Sequence, residues 1–192
     1  MGEKDFLECY KKHIEEVIEK GNLEIQVEDK ICNKKGIEVE INNPRIINQK
    51  QTGLYSVYLH PIGGQLLAND LKAILDTIKN FEDIEIRLAM TEGVYFRNLN
   101  GNEARELLEL TENMGATTNL EQSVSCIGVP TCQVGICNSQ GMLNSIMDYF
   151  KDREYKSDVL PRVYISGCGN SCGVHQIGSI GFTGKKKRVG EK

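Results

Sequence analysis

Leu54-Tyr55-Ser56-Val57-Tyr58-Leu59-His60-Pro61-Ile62-Gly63-Gly64 is the stretch on which the reading of the fold turns. Leu54–His60 has the aromatic and β-branched composition of a strand, and Pro61-Ile62-Gly63-Gly64 turns the chain. Beyond it, Leu66–Asn80 repeats apolar residues at Leu67, Leu71, Ile74, Leu75 and Ile78, the spacing of one helix face. Asp83–Met90 then alternates Ile84, Ile86 and Leu88 against charged neighbours. Glu92-Gly93 supplies a tight turn, and Val94–Leu99 reads as the returning strand of a hairpin. Asn102 is expected to cap a helix carrying Ala104, Leu107, Leu108 and Leu110. The order β-α-β-β-α predicts a ferredoxin-like α+β unit over residues 54–115.

Upstream, residues 1–53 read as an N-terminal helix and an irregular lead-in. Phe6, Tyr10, Ile14, Val17 and Ile18 recur at helical spacing between Glu3 and Lys20, with Gly21-Asn22 as the stop. This amphipathic helix is expected to pack on a neighbour. Asn, Gly and Pro then punctuate the chain, with short β-like pieces around Ile25–Val27 and Ile37–Ile41. Downstream of Gly115 the character changes. Cysteine, glycine and small residues dominate 123–141, a helix is expected over about 139–151, a strand over about 162–166, and a glycine-rich segment over 167–184. Residues 116–192 are therefore expected to form a second, smaller mixed α/β domain.

Composition narrows the function classes. The chain is 40% apolar and 26% charged with a net charge of −4, and no run approaches the roughly 20 apolar residues of a membrane span. The charged start Met1-Gly2-Glu3-Lys4-Asp5 lacks a signal peptide's apolar region, so the cytoplasm is the expected location. The one dense cationic run, Lys185-Lys186-Lys187-Arg188, reads as a solvated charge run, and nucleic-acid binding is not expected. Gly178–Lys185 has the wrong glycine spacing for a phosphate loop. Seven cysteines in a chain expected to stay in the reducing cytosol point to metal or cluster ligation in preference to disulfides.

Four of those cysteines form two pairs. Cys126 and Cys132 are spaced C-x5-C; Cys168 and Cys172 are spaced C-x3-C. A cubane cluster needs one sulfur per iron, and its negative charge calls for backbone N–H groups close to sulfur. Gly128, Gly167, Gly169 and Gly173 flank the pairs, and a missing side chain permits that approach. Asn138 or Ser139 can cap the following helix, turning its positive end toward an anionic centre. Two bland readings compete: buried inert thiols, and a four-thiolate zinc site, for which C-x5-C exceeds the usual spacing and which His175 could join. Cys9, Cys32 and Cys137 read as ordinary thiols.

Cys126-x5-Cys132 and Ser166-Gly167-Cys168-Gly169-Asn170-Ser171-Cys172-Gly173, followed by Ile177-Gly178-Ser179-Ile180-Gly181-Phe182-Thr183-Gly184, resemble the siroheme-dependent nitrite/sulfite reductases. A weaker likeness upstream, in Tyr55–Leu59, Pro61-Ile62-Gly63-Gly64 and Ile86-Arg87-Leu88, matches that family's ferredoxin-like half-repeat. The resemblance implies a 4Fe-4S cluster on Cys126, Cys132, Cys168 and Cys172, with Cys172 bridging to siroheme and Asn170 near it. It also implies electron relay to siroheme for reduction of sulfite to sulfide or nitrite to ammonia, with ferredoxin or a similar donor. Gly169 stands where the family commonly has proline, and Thr91 where its N-terminal repeat has arginine. The chain is expected to be the C-terminal portion of such an oxidoreductase, inactive without the missing N-terminal half. The alternative is a non-catalytic iron–sulfur electron-transfer module without siroheme.

Overall fold

The computed structural model describes residues 2–21, 32–153, 159–187 and 190. They fall into two compact units, Met1–Cys32 and Asn33–Lys192. In the first, α1 (Glu3–Lys20) forms with the bounds its periodicity predicts, an acidic first turn and Lys20 in its last. None of its residues is buried, and Phe6 and Tyr10 stack on each other. The β-like piece at Ile25–Val27 lies outside the described residues.

The second unit is α+β, as the sequence predicts. Its first sheet contains β1 (Ile46–Asn48), β2 (Leu54–Leu59), β3 (Glu85–Leu88) and β4 (Val94–Asn100) in the order β1-β2-β4-β3, antiparallel throughout. Because β4 lies between β2 and β3 and runs against both, β2 and β3 are parallel. The helix α2 (Ala68–Ile78) crosses between them, and α3 (Gly101–Leu110) follows β4, which makes a split β-α-β half-repeat. Val57, Leu59, Phe96 and Leu99 bury one face of the sheet against Ile74, Ile78, Ala104 and Leu107. Between Tyr55↔Leu99 and Val57↔Phe96 the register slips by one residue on β4. Asn98 takes up the extra residue at φ 62°, donating to the Asp83 carbonyl at 3.1 Å and accepting from Gln49 at 3.3 Å.

Two local expectations are corrected, and one strand face is open. Ile37–Ile41 forms no strand: the Tyr55 hydroxyl occupies both Val39 N–H and C=O at 3.1 Å, and the Ile37 carbonyl accepts from Gly101 N–H. The third antiparallel partner of the sheet is instead Ile46–Asn48. The cap of α3 is Asn100, whose side chain accepts from Asn102 and Glu103 N–H while Glu103 reaches back to Asn100 N–H at 2.9 Å, a complete capping box. Finally, the apolar face of β3 is not covered, since Ile86 is 45% and Leu88 88% exposed on an edge strand.

The second sheet is parallel: β5 (Val124–Ser125), β6 (Val163–Ser166) and β7 (Ile180–Thr183), in that order. The helix α4 (Ser139–Phe150) joins β5 to β6 and buries Leu143 against Leu120, Val163 and Ile165. The glycine-rich segment after Ser166 thus hides a strand, β7. The turn Pro61–Gly64, a single 3-10 turn over Ile62–Gly64, lies against β5, and the Ala116 N–H donates to the His60 carbonyl at 2.7 Å. Among the described residues no helix is long and apolar enough to cross a membrane.

Candidate functional site

The site follows from the parallel pairing of β5 and β6. With Ser125 beside Ile165, the two strands end next to each other, so Cys126 and Cys168 leave the same edge of the sheet. The crevice beyond the carboxyl ends of parallel strands is where such sheets hold ligands. Cys126 extends the ladder through its N–H to the Ile165 carbonyl at 3.0 Å. Cys132 closes a turn with its N–H on the Gly128 carbonyl at 2.7 Å. Cys168 and Cys172 lie on the loop after β6, which includes Ser171 at φ 61° and Val174 at φ 43°. That left-handed conformation is rare for a β-branched residue and records a tightly constrained backbone.

All four cysteines line one cavity of about 240 Å³, together with Gly128, Gly135, Gly167 and Asn170. The Gly167 N–H donates to Cys126 Sγ at 3.0 Å, and the Ser139 hydroxyl lies 3.2 Å from the same sulfur. Gly128 is left-handed (φ 57°), and a Cβ there would stand 2.3 Å from Ser139 Oγ. Gly173 packs so closely on β6 that a Cβ would meet the Ile165 carbonyl at 2.1 Å. Gly169 is different: a Cβ there meets nothing within 4 Å. Asn138 is the cap of α4, accepting from Gly141 N–H at 2.8 Å. Cys168 is buried, Cys126 and Cys132 are half-buried, and Cys172 is exposed.

The other sequence candidates lie elsewhere. Cys137 is exposed beside a separate cavity shared with Gly184 and Lys185, and Cys9 is exposed on α1. His175 is held by the Ser166 hydroxyl, 3.0 Å from its Nδ1, and does not line the cysteine cavity. Among the described residues no three His, Cys, Asp or Glu side chains converge on a point where a single ion could sit. Thr91 meets the Tyr58 hydroxyl at 3.3 Å, and Arg87 and Arg97 both pair with Glu85, at 2.7 and 2.6 Å. Lys185, Lys186 and Lys187 are exposed, and Arg188 lies outside the described residues.

Two residues at the site escaped the sequence reading. Glu92, read only as part of a turn, lines the cavity and accepts from Ser125 N–H at 3.1 Å. Burial pushes its carboxyl above the usual carboxylate range, with the Ser125 N–H opposing. Gln140 of α4 donates to the carbonyls of Gly63, Ser125 and Cys126.

Fold and site thus define an α+β protein in which a split β-α-β half-repeat adjoins a small parallel sheet carrying a glycine-lined, four-cysteine cavity. Residues 47–114 match the model of the nitrite/sulfite reductase ferredoxin-like half domain. The NADPH sulfite reductase hemoprotein beta-component of Bacillus subtilis is 24% identical over 135 residues, covering 64% of this chain and 24% of that protein. A ferredoxin–nitrite reductase of Synechococcus elongatus is 28% identical over 144 residues, covering 73% of this chain and 28% of that one. An uncharacterized Methanocaldococcus jannaschii protein is 30% identical over 142 residues, covering 71% of this chain and 50% of its own. The solved NirA protein of Mycobacterium tuberculosis superposes on 81% of this chain and 30% of its own with a TM-score of 0.64 at 22% identity, a likeness of fold. The chain is similar to the nitrite/sulfite reductase family, whose ferredoxin-like half domain accounts for residues 47–114. It spans about a quarter of the length of the reductases it matches.

Proposed function

We propose that Cys126, Cys132, Cys168 and Cys172 hold a 4Fe-4S cluster, that Cys172 also ligates siroheme, and that residues 116–192 are the part of the chain that binds both. The observation that carries this reading is the cavity itself, ringed by all four cysteines and approached by the Gly167 N–H. Thiolates around a void of this size fit a group larger than one ion. A backbone donor on Cys126 Sγ lowers the cost of its negative charge. Cys172 alone of the four is exposed, so a second face of its sulfur is open to another cofactor, and Asn170 stands at the same rim. When bound, the two cofactors would supply one-electron steps that reduce sulfite to sulfide or nitrite to ammonia.

The relatives act with NADPH or ferredoxin by name; for this chain we propose ferredoxin or a similar donor, in the cytoplasm. Substrate chemistry would require the other half of the enzyme. The second reading, an electron-transfer module without siroheme, is favoured by Thr91, where no guanidinium meets an anion, and by Glu85 engaging Arg87 and Arg97.

Anaerobic purification with iron, sulfide and siroheme quantified beside EPR of the reduced protein tests both. Four irons with acid-labile sulfide and siroheme are expected, Cys137→Ser should leave all three unchanged, and Cys172→Ser should abolish siroheme binding. Zinc without sulfide would sink the cluster; a full cluster without siroheme would select the second reading.

A further inference from the structure

Cys126 is tied to the half-repeat by two side chains that no sequence motif announces. Gln140 Nε2 donates to Ser125 O at 2.8 Å, to Gly63 O at 3.0 Å and, more weakly, to Cys126 O at 3.3 Å. One amide thereby joins the carbonyls flanking the first cysteine to the Pro61–Gly64 turn. The fit is close on the turn's side: Gly63 is left-handed (φ 65°), and a Cβ there would stand 2.4 Å from Gln140 Oε1. From the other turn of the half-repeat, Glu92 accepts from Ser125 N–H at 3.1 Å while lining the cysteine cavity. A Cβ on Gly64 would come within 2.9 Å of Glu92 Cβ, so the two turns are packed against each other as they reach Ser125.

We infer that Gln140, seconded by Glu92, is a positioning residue that fixes the Cys126 thiolate against the two turns of the half-repeat, so that the half-repeat's geometry is felt at the cluster. The inference rests on the cluster assignment above. Its physical basis is that the peptide on either side of Cys126 is held by donors and acceptors rooted in another element. Loosening them frees the backbone that aims the sulfur, and a buried carbonyl left without its donor destabilises the arrangement.

Gln140→Met tests it, because methionine keeps the length and the apolar stem of glutamine but donates nothing. With the anaerobically loaded protein, iron release to a chelator should accelerate roughly tenfold, equivalent to about 1.4 kcal/mol, and the EPR g-values of the reduced cluster should shift. The apoprotein's far-UV CD and unfolding midpoint, measured beside these, separate positioning from folding: a merely structural role lowers the midpoint and leaves the EPR signature unchanged. Should Gln140→Met not fold, Glu92→Ala against Glu92→Gln carries the test, since only the amide retains an acceptor for Ser125 N–H. Loss of wild-type EPR character in Glu92→Ala with recovery in Glu92→Gln supports the inference. A loaded wild type whose Gln140→Met variant, or failing that Glu92→Ala, releases iron at the wild-type rate with the wild-type spectrum overturns it alone. A wild type that takes up no iron and sulfide overturns the cluster assignment and this inference together.

Discussion

Gly167 and Gly169 flank Cys168, yet alanine at the two positions should behave oppositely. At Gly167 a Cβ would stand 2.7 Å from the Cys137 carbonyl and 3.2 Å from Gly128 Cα, both backbone atoms of the loop that carries Cys132. That loop cannot simply swing away, because the Gly167 carbonyl accepts from Ile136 N–H at 3.1 Å and Cys137 N–H at 2.9 Å. The clash is therefore absorbed by spreading the two cysteine loops, which costs about 1–3 kcal/mol by analogy with overpacked cores. For a chain of this size that lowers Tm by roughly 2–12 °C. At Gly169 a Cβ enters open space at a negative or extended φ, so alanine should be neutral or stabilising by up to about 1 kcal/mol through the unfolded chain. Urea unfolding of the apoprotein and iron content after anaerobic loading measure both. Gly167→Ala should lower the midpoint and the bound iron, while Gly169→Ala leaves the bound iron unchanged and the midpoint at or slightly above the wild-type value. Equal damage from the two, or a benign Gly167→Ala, would refute the close approach of the loops.

Two further outcomes follow from the half-repeat. Lys34 and Glu103 form an ion pair at 2.5 Å with side chains only 4% and 15% exposed, and the same carboxylate completes the capping box of α3; Lys34 Nζ keeps the Glu82 carbonyl at 2.8 Å when the carboxylate is removed, so Glu103→Ala should cost about 1–3 kcal/mol, with Glu103→Gln less severe, as urea midpoints will show. His60 is 1% exposed, and burial lowers its pKa, opposed by the backbone groups of Thr91 and Pro61 and reinforced by the Arg162 charge. The unfolded chain, titrating near 6.5, then binds the proton more readily than the folded one. Stability should be full above about pH 6.5 and decline as the pH falls from there. His60→Phe should flatten the drop in unfolding free energy between about pH 7 and 5.5; an unchanged slope would assign the drop to other groups.

Where a segment's own periodicity carries the information, the sequence was enough. The spacing of Phe6, Tyr10, Ile14 and Val17 predicts α1 to the residue, and Leu71, Ile74, Leu75 and Ile78 predict α2 within two residues at each end. Strands were harder. Ile46–Asn48 is three residues long and its burial pattern does not alternate, whereas Ile37–Ile41 looks like a strand yet spends its backbone groups on Tyr55 and Gly101. The run Asn98-Leu99-Asn100-Gly101-Asn102 contains three plausible caps. Only the position of Glu103 relative to Asn100 N–H selects among them. Ile84, Ile86 and Leu88 alternate as a buried strand would, but β3 is the edge of its sheet, and alternation does not reveal which face is covered.

The same division runs through the site. Cysteine spacing and flanking glycines, read along the chain, determined that two paired thiol loops exist and which residues they contain. Their meeting depends on residues about forty positions apart becoming neighbours, and the parallel register of Ser125 with Ile165 decides that. Glu92 and Gln140 belong wholly to the tertiary structure. Their partners, Ser125 N–H and the carbonyls of Gly63, Ser125 and Cys126, are backbone atoms common to every residue. No side-chain pattern can encode a contact with such groups. Only packing the half-repeat's turns against β5 brings them within reach.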